Sequence, residues 1–324
     1  MVSLKLRCRS CGHETDEELG FCMNCRLCLF PKSTYDLTFD DFAYGPDRDG
    51  IAMIKTTRML PYLVKNLTLG NLEKNLLSKL AHEAYEVPYP SDLDALVRHC
   101  AISLSLDAFP RIFIINQGEP NAFTFGSEER AFVVVDSSVL KSLTASELTA
   151  LFAHELTHVK SGHMLFHTVA ELLVGGIGFS ASLMGLDLLS LPIRLALLNW
   201  HRESEVTADR GSLLIVNDIS VIQSLMSKLS YWSSRPSAYR PQDEMDEKPG
   251  MLESASELFR THPSHINRYV FIKQFYESEQ FLRVGQKLEM RLTLLRALIP
   301  LCRFCGTRKA TEEMFCPSCG KCQT

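Results

Sequence analysis

"LTASELTALFAHELTHVKSGH" occupies residues 143–163, and its reading decides the fold around it. Thr144, followed three residues later by Glu147, is a capping-box helix start. From there Leu148, Leu151, Phe152, Leu156 and Val159 fall on one broad face at helical spacing, suited to burial. Gly162 is a stop signal. The stretch therefore predicts a helix with its own beginning and end, carrying His154, Glu155 and His158. Imidazoles at i and i+4 lie one above the other, so both can reach one metal ion. Glu155 projects beside them into the same cleft, where it can take a proton from a water that the metal acidifies. The pattern is short, and "HEAYE" at 82–86 begins the same way before failing at Glu86. Two histidines do not make a site without a third ligand.

An H-E-x-x-H-x-x-G-x-x-H site needs glycine at 161 and histidine at 164. This chain has Ser161 and Met164, with His163 one position early. The third ligand is therefore expected downstream. "WHRESEVTADRG" (200–211) offers His201, Glu205 and Asp209 at i, i+4 and i+8 on one face, with Glu203 pointing elsewhere. In isolation an exposed helix of mixed charge looks the same. Glu205 as ligand, with Asp209 fixing a ligand histidine through its other ring nitrogen, uses the spacing better. His163 and His167 read as structural.

Around this helix the chain reads as α+β. "GPDRDG" (45–50) looks like a turn-rich linker. Helical spacing covers 51–68 and 71–86, and another helix starts at Ser91 with Asp94 as capping partner. "RIFII" (111–115), "NAFTF" (121–125) and "AFVVV" (131–135) are strand-like, predicting a small three-stranded sheet. Further helical spacing spans 218–232 and 264–282, and the Pro-rich, charged 233–250 reads as a long loop or lid. Residues 172–186 form an uncharged run. As a helix it reaches roughly 22 Å, short of a ~30 Å hydrocarbon core, and it is read as buried. With 188–200 it offers a secondary expectation, membrane association through 169–200.

The two ends repeat each other. Cys8, Cys11, Cys22, Cys25 and Cys28 recur with identical gaps as Cys302, Cys305, Cys316, Cys319 and Cys322. Two Cys-x-x-Cys turns close a tetrahedral four-thiolate zinc site, and so short a segment depends on the metal for folding. The fifth cysteine of each copy is surplus. Three units follow: a zinc ribbon at 1–35, a body at 36–300 and a second ribbon at 301–324. The N-terminus carries no apolar run of the secretory kind, and clustered cysteines then point to metal binding and the cytoplasm, including the cytoplasmic face of a membrane. The net charge of −4, pI near 6.2 and absence of a long Lys/Arg tract argue against nucleic acid as partner.

"NAF", H-E-L-T-H, E-x-x-A-D and "THPSHINR" in that order resemble the HtpX-like and CAAX-prenyl-endopeptidase-type zinc metallopeptidase family over about residues 55–280. The resemblance implies a zincin-type body with zinc ligands His154, His158 and Glu205, general base Glu155, and Asp209 behind a ligand. It implies a substrate-binding edge strand at Asn121, Ala122 and Phe123, where peptide main chain adds to the sheet. It also places His262 and Arg268 in the catalytic cleft, although Ser264 stands where relatives often have proline. Relatives often span membranes with clear helices, which this chain lacks. The expectation is an endopeptidase acting on unfolded or exposed protein segments with three zinc ions, one catalytic and two structural. The ribbons would dock a protein partner. The competing reading is a non-proteolytic ribbon adaptor or holdase.

Overall fold

The computed structural model describes residues 5–16, 20–30, 32–56, 69–118, 120–164, 166–167, 170, 191–233, 265–298 and 315. A hairpin of β1 (Lys5–Arg7) and β2 (Glu14–Asp16) opens the chain. It is followed by α1 (Phe39–Phe42), α2 (Gly45–Thr56), α3 (Leu69–Glu83), β3 (Tyr85–Glu86), α4 (Asp92–Ser103), β4 (Arg111–Ile115), β5 (Ala122–Gly126) and β6 (Ala131–Asp136). Among the described residues, helices α5 (Ser137–Ser142), α6 (Ala145–Lys160), α7 (Leu191–Val216), α8 (Ile219–Ser233), α9 (His265–Tyr276) and α10 (Glu279–Leu298) follow. The architecture is α+β and mostly helical.

The sheet has four strands rather than three, in the order β3-β4-β6-β5. β4 and β6 are parallel; β3 and β5 run antiparallel to their neighbours. The added strand lies at the end of the helical spacing of 71–86. The helix stops at Glu83, and Glu86 instead pairs across to β4, with Arg111 Nε donating to its carboxylate at 2.8 Å. Every residue of β6 is buried because helices cover both faces. On one face Ile112, Ala122, Val133 and Val135 meet Phe152 and Leu156 of α6. On the other, Phe113, Phe123, Phe125 and Val134 meet Leu76 and Leu80 of α3. Strand alternation thus turns Thr124, two residues from Ala122, toward α6.

"GPDRDG" is not a linker but the first half of α2. Pro46 stands in the first turn, where a missing N–H costs nothing. Asp47 is fully buried and accepts hydrogen bonds from Trp200 Nε1 (2.7 Å) and Thr207 Oγ1 (2.5 Å) of α7. Tertiary contact therefore overrides the turn composition. From Leu191 the 188–200 stretch is the start of the 26-residue α7, with Leu197 and Trp200 buried. Among the described residues no helix is long and apolar enough to cross a membrane; residues 171–190 and 234–250 lie outside them. The spacing across 264–282 resolves into two helices that break at Glu277 and Ser278, where Ser278 Oγ accepts from the Phe281 N–H.

The N-terminal cysteine segment is welded to the body. Phe21 is fully buried in the main core, 5.3 Å from the Phe109 ring. The backbone bonds Cys28 N–H to Asp107 O and Phe109 N–H to Arg26 O are 2.9 and 2.8 Å. Cys28, the surplus thiol, packs against the same core.

Candidate metal centre

Helix α6 starts as its sequence predicts, with Thr144 and Glu147 reciprocally capped. Its other end forms a Schellman turn. Gly162 takes φ +67°, and the His163 N–H reaches back to His158 O at 3.0 Å while the Gly162 N–H bonds Val159 O at 3.1 Å. Helix α7 lies directly against α6. Gly211 permits this, since a Cβ there would meet the Thr157 side chain at 2.2 Å.

The packing of these two helices builds the site. His154 Nε2 and His158 Nε2 lie 3.3 Å apart. Glu205 of α7 presents Oε2 at 3.5 Å from His154 Nε2 and Oε1 at 3.3 Å from His158 Nε2. All three side chains are buried. Asp209, one turn along α7, lies 2.9 Å from His154 Nδ1. Arg268 of α9 reaches in from the far side. Its Nε and Nη2 donate to Asp209 at 2.7 and 2.6 Å, and its Nη1 donates to Glu205 at 2.8 Å. The resemblance sets Arg268 in the catalytic cleft; in the fold it bridges the two carboxylates of α7.

Glu155 points toward β5, where the Thr124 hydroxyl donates to its Oε2 at 2.8 Å. No motif marks Thr124; strand parity after "NAF" was the one available signal. Ala122 and Phe123 lie in β5, which pairs with β6 and forms the sheet's edge; Asn121, just before it, accepts from the Asp136 N–H at 2.8 Å. His262 lies outside the described residues, as do Cys302, Cys305, Cys316 and Cys319.

These residues fit a divalent cation on two grounds. Two imidazole nitrogens and a carboxylate, mutually within 4.8 Å, are a zinc-type donor set. The buried inner set also holds three carboxylates (Glu155, Glu205, Asp209) against one guanidinium (Arg268), and a divalent cation cancels the excess. Electrostatics agree with that imbalance. Burial disfavours a charged His154, yet Asp209 and Glu205 push its pKa up to about 10, whereas burial takes His158 down to about 3. Burial would raise Asp209, but Arg268 and His154 hold it below the ordinary carboxylate value. A second grouping, His167, His201 and Glu205, shares the same carboxylate. There the His167 Nε2–H is committed to Ser204 Oγ at 2.6 Å, since that hydroxyl donates to His201 O at 2.8 Å.

The four thiols of Cys8, Cys11, Cys22 and Cys25 also converge. Cys8 and Cys25 Sγ are 3.5 Å apart and Cys11 and Cys22 Sγ 3.6 Å. Cys28 stays outside the group.

The model of peptidase family M48 matches residues 90–275, more than half of the chain and the span that holds the whole inner site. The chain belongs to this family. Over 198 residues this M48 member is 31% identical to the plastoglobule-localized metallopeptidase 48 of Arabidopsis thaliana, covering 60% of the chain and 57% of the plant protein. It therefore spans less than two thirds of that relative's length. It is 27% identical over 214 residues to an HtpX protease homolog of Campylobacter curvus (56% of this chain, 73% of the relative). Against the HtpX homolog of Burkholderia thailandensis it is 27% identical over 217 residues (57% and 74%). No solved structure matches it.

Proposed function

We propose that the chain is a zinc-dependent endopeptidase that cleaves unfolded or exposed segments of proteins. The observation that carries this reading is the convergence of His154, His158 and Glu205 beside Glu155, itself bonded to the sheet's edge strand. The two imidazoles and Glu205 would hold the ion. When bound, zinc supplies Lewis acidity, lowering the pKa of water and polarising a peptide carbonyl.

The protein's own groups do the remaining work. Asp209 accepts the His154 Nδ1–H, which directs the Nε2 lone pair toward His158 and Glu205, the side on which the metal would bind. Arg268 holds Asp209 and Glu205 in place and helps to keep Asp209 ionised. Thr124 fixes one oxygen of Glu155, so the carboxylate is oriented to take a proton from the attacking water and pass it to the leaving amine. The edge β5 offers main-chain groups to an extended peptide, reading backbone with little demand on side chains. The two ribbons would each hold a structural zinc, giving three ions per chain, and would dock a protein partner. Thiolate ligands suit a reducing compartment, and we place the chain in the cytoplasm.

Glu155→Gln tests the reading. Hydrolysis of an unfolded casein-type substrate should be lost while zinc content stays at that of the wild type. Normal turnover by this variant would eliminate the proposed base, and a wild type that binds unfolded protein without cleaving it would favour the adaptor reading.

A further inference from the structure

His154 and His158 are held from behind in different ways. His154 meets a carboxylate directly, 2.9 Å from Asp209. Behind His158 stands another imidazole: His158 Nδ1 and His163 Nδ1 are 3.1 Å apart, both side chains buried. His163 in turn presents Nε2 to Asp47 Oδ2 at 3.2 Å, a close contact though not a well-aligned hydrogen bond. Asp47 is anchored by Trp200 and Thr207.

Proton positions follow from valence. His158 turns Nε2 toward His154 and Glu205, so that nitrogen is the ligand atom. Its proton must then sit on Nδ1 and point at His163. To accept it, His163 Nδ1 must be bare, and the proton of a neutral His163 ring lies on Nε2, toward Asp47. A carboxylate on that side favours this tautomer over the alternative, which would set two N–H groups against each other.

Resting on the metal reading above, we propose that His163 and Asp47 are positioning residues. They form a relay that fixes the tautomer and ring orientation of His158 and so sets the affinity of the catalytic zinc. The Schellman turn at Gly162 folds His163 back beneath His158. Helix α2, distant in sequence, delivers the carboxylate. A neutral imidazole relays less negative charge than a direct carboxylate, so the two ligand histidines differ in basicity.

The test is chelator competition on the full-length chain in the Glu155→Gln background, with the N-terminal ribbon zinc as internal reference. Asp47→Asn and His163→Leu should each weaken the catalytic zinc by about 10- to 100-fold and leave ribbon zinc unchanged. His163→Asn, which restores an acceptor toward His158, should recover much of that loss. Equal zinc affinity in His163→Leu and wild type would overturn the relay, as would equal weakening by His163→Leu and His163→Asn, since that would mean only packing matters. A wild-type chain holding ribbon zinc alone would overturn the metal reading itself, a result distinct from failure of the relay.

Discussion

Arg268→Leu is the sharpest probe of the charge balance at the centre. Arg268 is only 5% exposed, and its guanidinium makes three short contacts, two to Asp209 and one to Glu205. Removing one partner of a buried ion pair costs about 3–5 kcal/mol. Here two carboxylates are left behind, so the upper part of that range, about 4–5 kcal/mol, applies to chelated protein. A divalent cation held as proposed would neutralise Glu205 and leave Asp209 facing His154, reducing the cost to about 2–3 kcal/mol, the scale of charged hydrogen bonds. At roughly 2–4 °C per kcal/mol for a domain of this size, the melting temperature should fall by about 10 °C or more without metal and by roughly half that with zinc. Arg268→Lys should lie between, because an ammonium cannot span both carboxylates in a fork. The assay is thermal unfolding of full-length chains in the Glu155→Gln background, with and without chelator, each compared with its parent. A drop of the same size in both conditions would refute the shared neutralisation of Glu205, and no drop in either would refute the ion-pair role altogether.

Thr124→Val removes the hydroxyl that orients Glu155 while keeping the shape of the β5 side chain; kcat on an unfolded substrate should fall about 10-fold with zinc content unchanged, the scale of one hydrogen bond to a charged group. Unaltered kcat would detach β5 from the chemistry. Glu147 tests the helix that carries the motif. Burial would raise its pKa, but Lys228, the Thr144 N–H and Ser224 bring it down to about 2. A folded value below the unfolded one means stabilisation that is complete above about pH 4.5 and is lost as pH falls toward 2. Glu147→Gln should therefore cost about 1–2 kcal/mol at pH 7 and progressively less toward pH 3, read from urea midpoints; a penalty independent of pH would remove the carboxylate from the account.

Much of the centre was legible because it is local. His154 and His158 are a helical turn apart, and Thr144 with Glu147 announces where that helix begins. Glu205 and Asp209 share a helix face in the same way. The periods of helix and strand convert such spacings into directions without knowledge of the fold. The edge strand after "NAF" was visible too, but the consequence of its parity was not. Thr124 matters only because α6 covers that face of the sheet.

What sequence alone determined, then, is which groups stand on one face of one element: two imidazoles, a carboxylate beside them, two acids a turn apart, four thiols on paired turns. Only tertiary structure decided which faces meet. It made "GPDRDG" a helix whose buried Asp47 reaches His163, stood a glycine of α7 against Thr157 so that Glu205 meets the histidine pair, and brought Arg268 across from α9. The physical reason is range. Backbone hydrogen bonds and side-chain periodicity act over one or two turns, whereas helix approach is set by packing between segments scores of residues apart, which no local pattern encodes.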